Sequence, residues 1–404
     1  MTTPKEAARQ AVEDARTPLI DLSHRIHANP ELRFQEHKAC ALLADTLSSA
    51  GLAVESGVCD LPTAFVATAG SGPLRIAICA EYDALPAIGH ACGHNIIAAA
   101  AAGAGIAAAR IAGEIGATIS VIGTPAEEGG GGKVLLLQRG AFDGVHASMM
   151  VHPGPVDVGD MPYLATQALD VSYTGKEAHA SSFPERGINA ADALTVAQVA
   201  VGLLRQHIRA TDRVHGIVTK GGDASNVIPA HTSARYSVRA KTMRHLEDIR
   251  AKAVRCFEAG ALATGCELHI DYRDFGYTEV RNDPDILAAY QRNAEALGRN
   301  FAGLTASQLE RTAGSTDMGN ISLAMPAIHP SIGVHSWPAV NHQREFAEHC
   351  ATPAGDKAVI DGAIAMAWTI IDIASDETIR DRLLAAHTSY SSMPIPGMLG
   401  EQAS

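Results

Sequence analysis

The sequence predicts an α/β protein, with a mainly parallel central sheet interrupted by a smaller α+β insertion. Three observations predict it. Short apolar runs at residues 74–80, 118–123 and 147–151 alternate with loops and helix-patterned segments, the order of a parallel sheet. Each run leads into residues that carry chemistry, and in an open α/β sheet that edge is where ligands bind. After about Thr166 the pattern changes to alternating strands and amphipathic helices.

Residues 4–28 have helical spacing, and Pro30 ends that helix. The run 74–80, apolar apart from Arg75, reads as a strand buried on both faces. A loop over 81–94 leads into an Ala-rich helix from about Asn95. The strand 118–123 is followed by a loop over 124–132 and a helix from Lys133. The strand 147–151 ends at His152-Pro153-Gly154. In the insertion, 168–173 alternates as a half-exposed strand, 189–207 and 246–262 are helices, and 216–220, 235–241 and 267–272 are strands. Strand–helix–strand–strand–helix–strand is the split βαβ, ferredoxin-like order. The domains expected are therefore 1–165 with 278–404, and 166–277 inserted between them. The first closes with a helix around 359–373. The tail from Thr388, rich in Ser, Pro and Gly, is expected to be loose.

Lys and Arg total 32 against 44 Asp and Glu, a net charge of −12. No basic stripe is present, which argues against nucleic acid and anionic membrane as partners. The seven cysteines include no Cys-x-x-Cys pair, which fits reduced thiols in a cytoplasmic compartment. The polar N-terminal segment does not read as a secretory signal. The most apolar stretch, 96–109, is too short to span a bilayer and suits a buried helix.

The run Gly-His-Ala-Cys-Gly-His-Asn (89–95) is the most informative. Cys92 and His94, two residues apart, can face one metal site. Glu127-Glu128 and His152 follow the next two strands. A thiolate, imidazoles and a carboxylate suit Zn²⁺, and less exclusively Mn²⁺, Co²⁺ or Ni²⁺. One of two adjacent Glu residues can bind metal while its neighbour acts as a general base. Two ions sharing a bridging group need a fifth ligand, for which His342 is the best C-terminal candidate, with His329 and His335 as competitors. His90, four residues before His94, suits a supporting role behind the ligands. Asp83 orients a ligand or caps its loop. Gly129–Gly132 lacks phosphate-loop spacing and follows two carboxylates; it lets the backbone pass close to the metal loop.

These motifs resemble those of the co-catalytic metallopeptidase family of aminoacylases, carboxypeptidase G, hippurate hydrolase and auxin-conjugate amidohydrolases. His-Ala-Cys-Gly-His (90–94) is similar to the Cys-containing amidohydrolase branch, in which Cys replaces a bridging Asp. The resemblance implies a zinc-peptidase-like catalytic domain, two divalent ions per chain (Zn or Mn before Co or Ni), Glu127 as base, Glu128 and His152 as ligands, and His342 in a His-x-x-x-Phe pattern. Within the insertion, Gly-Lys-Glu-Ala-His-Ala (175–180) resembles the lid motif whose His stabilises an oxyanion from the opposite subunit, which implies His179 in that role and a homodimer. Gly-Gly-Asp-Ala-Ser-Asn (221–226) implies Asn226 as a substrate contact, and Arg239 falls where the family carries a carboxylate-binding Arg. Glu-Tyr-Asp-Ala-Leu-Pro (81–86), Asn95 in place of a common Asp, and Gly-Ser-Thr-Asp-Met-Gly-Asn (314–320) look closest to the subgroup of aminobenzoyl-glutamate hydrolase and the dipeptidase that cleaves β-alanyl dipeptides.

The reading is a metal-dependent amidohydrolase acting on N-acyl amino acids or small dipeptides. The alternatives are a thiol-redox protein or a non-catalytic metal-binding protein using Cys92.

Overall fold

The computed structural model describes residues 2–390, except 303, 306, 307, 310 and 311. The chain forms two compact units. One joins the segment through Pro162 to the segment from Val280, and the other spans Tyr163–Glu279.

The strands of the first unit are β1 (Ala53–Ser56), β2 (Phe65–Gly70), β3 (Leu74–Ala80), β4 (Ala117–Gly123), β5 (Ala147–Met149) and β6 (His152–Gly154). The second unit holds β7 (Ala165–Thr174), β8 (Arg213–Lys220), β9 (His231–Ala240) and β10 (Glu267–Tyr277), and the first resumes with β11 (Ala327–Ile328) and β12 (Ser331–Gly333). The central sheet has the order β1-β2-β4-β3-β5-β11. β4, β3, β5 and β11 are parallel, while β2 runs antiparallel to β4 and β1 antiparallel to β2. The sheet is therefore mixed, parallel from β4 through β11 and antiparallel only where β2 joins β4 and β1. β1 is short and mostly exposed and β2 is partly exposed, so neither carries the continuous apolar run that announces β3 and β4.

β3 shows why the centre of this sheet is apolar on both faces. Side chains alternate along a strand. Ile76 and Ile78 face a core built from the helices Arg16–Ala28, His37–Ser49, His94–Ile111 and Pro353–Ser375. Ala77 and Cys79 face a second core with Ile97, Ile122, Leu136, Met318 and Ile321. The helices His94–Ile111 and Pro353–Ser375 are each long and apolar enough to cross a membrane, but 83% of an 18-residue apolar stretch in each is buried inside the protein, as in core helices. The register aligns Ala80 with Gly123 and Ile78 with Met149. The C-terminal ends of β3, β4 and β5 thus lie side by side, and their loops leave from one edge.

Residues 4–28 form two helices, Pro4–Asp14 and Arg16–Ala28, joined at Ala15 (φ −90°, ψ 1°). The buried stripe Ala8, Ala11, Val12, Leu19, Leu22, Ile26, bridged by half-buried Ala15, keeps its three- and four-residue spacing across the joint, so the periodicity does not reveal the break. The first helix begins with a capping box, in which Thr3 and Glu6 satisfy each other's backbone N–H.

In the second unit the strands order β10-β7-β9-β8, all antiparallel. β7 buries every second residue, and Leu169, Val171 and Tyr173 share a core with Leu246, Ile249 and Phe257 of the helix Met243–Thr264. The last described helix, Glu377–Tyr390, includes the first three residues of the tail expected to be loose. The rest of that tail lies outside the described residues. All seven cysteines are free thiols.

Candidate metal centre

Three strand ends and one C-terminal loop supply the site. The loop after β3 brings Asp83 and Cys92, and His94 opens the following helix. The loop after β4 brings Glu127 and Glu128, β6 begins at His152, and His342 precedes the helix Arg344–His349. Gly93 makes the first of these possible. Its φ is +78°, and a Cβ there would lie 2.8 Å from Pro153, so only glycine lets Cys92 and His94 sit against His152-Pro153. Ala126 (φ 60°) and His342 (φ 68°) also hold left-handed backbone. The N–H of Ala126 donates to Glu36 Oε1 at 2.9 Å and that of His342 to the Ala91 carbonyl at 2.8 Å. Such conformations persist only where the surroundings hold them, and they gather at functional sites.

Two triplets of ligand atoms share Cys92: Cys92 with His94 and His152, and Cys92 with Glu128 and His342. Within each triplet all atoms lie within 4.8 Å of one another. Together they contain all five ligands expected from the sequence. Cys92 Sγ stands 3.5 Å from His152 Nε2, and Glu128 Oε1 stands 3.4 Å from His342 Nε2. Tetrahedral zinc bonds of about 2.1 Å to N or O and about 2.3 Å to S imply ligand spacings of roughly 3.4 Å and 3.6 Å. His94 Nε2 and Glu128 Oε1 are buried with no hydrogen-bond partner. Buried polar atoms are rarely left so. The donor set and the orphaned atoms fit divalent ions.

Supporting hydrogen bonds orient these groups. One Asp83 oxygen accepts from His94 Nδ1 at 3.0 Å and the other from the Glu128 N–H at 2.9 Å, so Asp83 ties the two triplets together. His152 Nδ1 donates to the Pro153 carbonyl at 2.9 Å, which turns Nε2 toward Cys92. This second layer fixes the tautomer of metal-binding imidazoles.

The electrostatics separate the two glutamates. Burial, together with Glu81, Glu128 and Asp317, pushes Glu127 well above the usual carboxylate range. Burial also acts on Glu128, but the adjacent His342 imidazole and the charge of His94 outweigh it and hold Glu128 low. Burial lowers His152 to about 4, keeping it in the neutral, ligating form. Burial and the Glu128 charge raise the Cys92 thiol, the opposite of a reactive redox thiol. A bound cation reverses this by deprotonating a thiol outright.

The remaining sequence candidates fall in several places. His90 is buried with its ring stacked on His27, centroids 6.2 Å apart. His329 packs against His152 at 5.3 Å, and His335 is exposed; His342, not either competitor, joins a triplet. Asn95 donates to Ser23 Oγ and to the Cys350 carbonyl, a contact that an ionised Asp could not make. His179, Asn226 and Arg239 belong to the second unit. The exposed His179 pairs with Val227 as a β-bridge, so the two motif segments lie side by side. His179 Nδ1 accepts from the Ser181 and Ser182 N–H groups at 3.3 and 3.2 Å, which leaves Nε2 as the donor in the neutral ring. Arg239 is half-buried on β9, opposite Thr166 and Arg213. Sequence reasoning missed Glu81, which forms a third cluster with His94 and Glu127, and its partners Lys133 and Asp317. The available signal was an acidic residue directly after a strand that is apolar from Ile76 to Ala80.

Metal-binding side chains gathered beside a buried glutamate at the strand ends of an α/β sheet suit hydrolysis of peptide or amide bonds. The chain belongs to peptidase family M20/M25/M40, whose model matches residues 77–359. It is 38% identical over 384 residues to the Xaa-Arg dipeptidase of Mus musculus, covering 91% of this chain and 88% of that one. It is 34% identical over 275 residues to a p-aminobenzoyl-glutamate hydrolase chain of Escherichia coli, covering 63% and 57%. A dinuclear metal-binding peptidase of Bacillus subtilis shares the fold, with a TM-score of 0.65 and 23% identity over 89% of this chain and 99% of that one.

Proposed function

We propose that this chain is a two-metal dipeptidase and amidohydrolase whose substrates are small dipeptides or N-acyl amino acids. The observation that carries the reading is the pair of ligand triplets that share Cys92, with Glu127 next to them. Cys92, His94 and His152 would hold one ion and Cys92, Glu128 and His342 the other, with Zn or Mn fitting this donor set best and Co or Ni also accommodated. When bound, the ions supply Lewis acidity, making water nucleophilic at neutral pH and polarising the amide carbonyl. Glu127 takes the proton from the attacking water and returns it to the leaving nitrogen. Its raised proton affinity suits that transfer.

Nε2 of His179 would donate to the developing oxyanion, and Arg239 with Asn226 would bind the substrate carboxylate, a planar guanidinium forking onto it. Homodimer assembly, with His179 reaching the partner's site, and a cytoplasmic location belong to the same proposal; the first rests on motif resemblance, the second on thiol usage. The names of the relatives favour dipeptides ending in arginine, followed by p-aminobenzoyl-glutamate. A net charge of −12 favours approach of a cationic dipeptide.

The test is a panel of Xaa-Arg dipeptides, p-aminobenzoyl-glutamate and N-acyl amino acids on metal-loaded protein. Hydrolysis of at least one class, abolished by chelator and restored by metal, is expected. No turnover of any class by protein carrying two ions per chain would overturn the reading. Cys92 should also alkylate slowly until chelator is added, whereas a redox thiol would react at once.

A further inference from the structure

Three charged residues outside the five ligands are fully buried beside them: Glu81, Lys133 and Asp317. They come from the end of β3, the first turn of the helix Gly132–Gln138 and the residue before the helix Met318–Ala324. Lys133 Nζ is paired with Glu81 Oε1 and with Asp317 Oδ1, the latter at 2.8 Å, and the Lys133 N–H donates to Asp317 Oδ2 at 3.0 Å. Lys133 is thus pinned at both its backbone and its ammonium, and it pins one oxygen of Glu81.

The other oxygen, Glu81 Oε2, has no hydrogen-bond partner and stands 3.5 Å from His94 Nε2, which also has none. A nitrogen-to-oxygen hydrogen bond runs to about 3.2 Å, whereas two ligands of one tetrahedral ion sit roughly 3.4 Å apart. His94 Nδ1 is engaged by Asp83, so Nε2 is the metal-facing nitrogen. The Glu127 carboxylate belongs to the same cluster, its Oε2 3.9 Å from His94 Nε2.

We infer that Glu81 is an additional metal-facing carboxylate for the ion on the His94 side, and that Lys133 and Asp317 are positioning residues that hold it there. This rests on the two-metal reading above. Three carboxylates, Glu81, Glu127 and Glu128, converge on a buried space, and the Lys133 ammonium holds one oxygen of Glu81 while the other is directed toward His94. Lys133, just after the glycine-rich loop, and Asp317 of the 314–320 motif thereby acquire a role.

The test is metal binding. Chelator-stripped protein is titrated with Co²⁺, and both dissociation constants and the absorption spectrum are recorded. Wild type should bind two ions. Glu81→Gln should weaken one step by about 10- to 100-fold, the scale for losing a group that supports a metal site, with the other step and the thiolate-to-cobalt band retained. Asp317→Asn and Lys133→Arg, which keep Glu81 but loosen its support, should weaken the same step by less. If Glu81→Gln does not fold, these two variants decide. Unchanged dissociation constants in all variants that fold would overturn the inference while leaving the two-metal reading intact. A wild-type chain that binds no ion would overturn both.

Discussion

The strand-end centre and the His179–Asn226 segments place their polar groups in opposite ways. At the centre, Glu81, Asp83, His94, Lys133 and Asp317 are almost fully buried, and each leans on residues far away in sequence. In the second unit, His179 and Asn226 are exposed, and the His179 ring is oriented by the N–H groups of residues two and three positions on. The difference separates two costs. A buried charge must be matched by partners or an ion, so altering it disturbs folding and metal binding as well as chemistry. An exposed imidazole held by its neighbours can be removed without structural consequence, so any effect reports on chemistry alone.

The largest effect expected at the buried centre is on turnover. Glu127→Gln should lower kcat by about 10²- to 10⁴-fold, the range for loss of a general base, with both ions retained by elemental analysis. Glu128→Gln should instead lower metal content. Equal loss of metal in both variants would break the division of labour between the pair. Next comes stability: Lys133→Met leaves Glu81 and Asp317 unpaired and buried, and should cost about 3–5 kcal/mol in urea unfolding. A cost below about 1 kcal/mol would mean that the triad is not the closed unit described, on the same scale.

The smallest structural effect belongs to the second unit. His179→Ala should change unfolding free energy by no more than about 0.5 kcal/mol, as for exposed positions generally, yet lower turnover. Mixing inactive His179→Ala and Glu127→Gln chains under subunit exchange should restore roughly a quarter of wild-type activity, because half the dimers are mixed and each rebuilds one of its two sites. No recovery with exchange confirmed would place the action of His179 within its own chain or nowhere.

Much of the centre was readable because its residues have local signatures. Apolar runs of the right length located β3, β4 and β5 to within two residues at each end. Cys92, His94, Glu128 and His152 stand out because they lie in or directly after the loops that follow those runs. β1 and β2 were not readable, since a partly exposed edge of a sheet needs no apolar run. The break at Ala15 was hidden by a stripe that continues across it.

By itself, then, the sequence determined the periodicities, the order of elements and the set of residues able to bind metal, because each depends on neighbours a few positions apart. Tertiary structure alone decided which of these residues meet. The alignment of Ala80 with Gly123 brings the loops to one edge, and the Asp83 carboxylate then joins His94 to Glu128. It placed His342, rather than His329 or His335, beside Cys92 and Glu128, and it brought Asp317 to Lys133 across 184 positions. Such meetings depend on strand register and on close backbone approach, as at Gly93 against Pro153, and no local spacing encodes either.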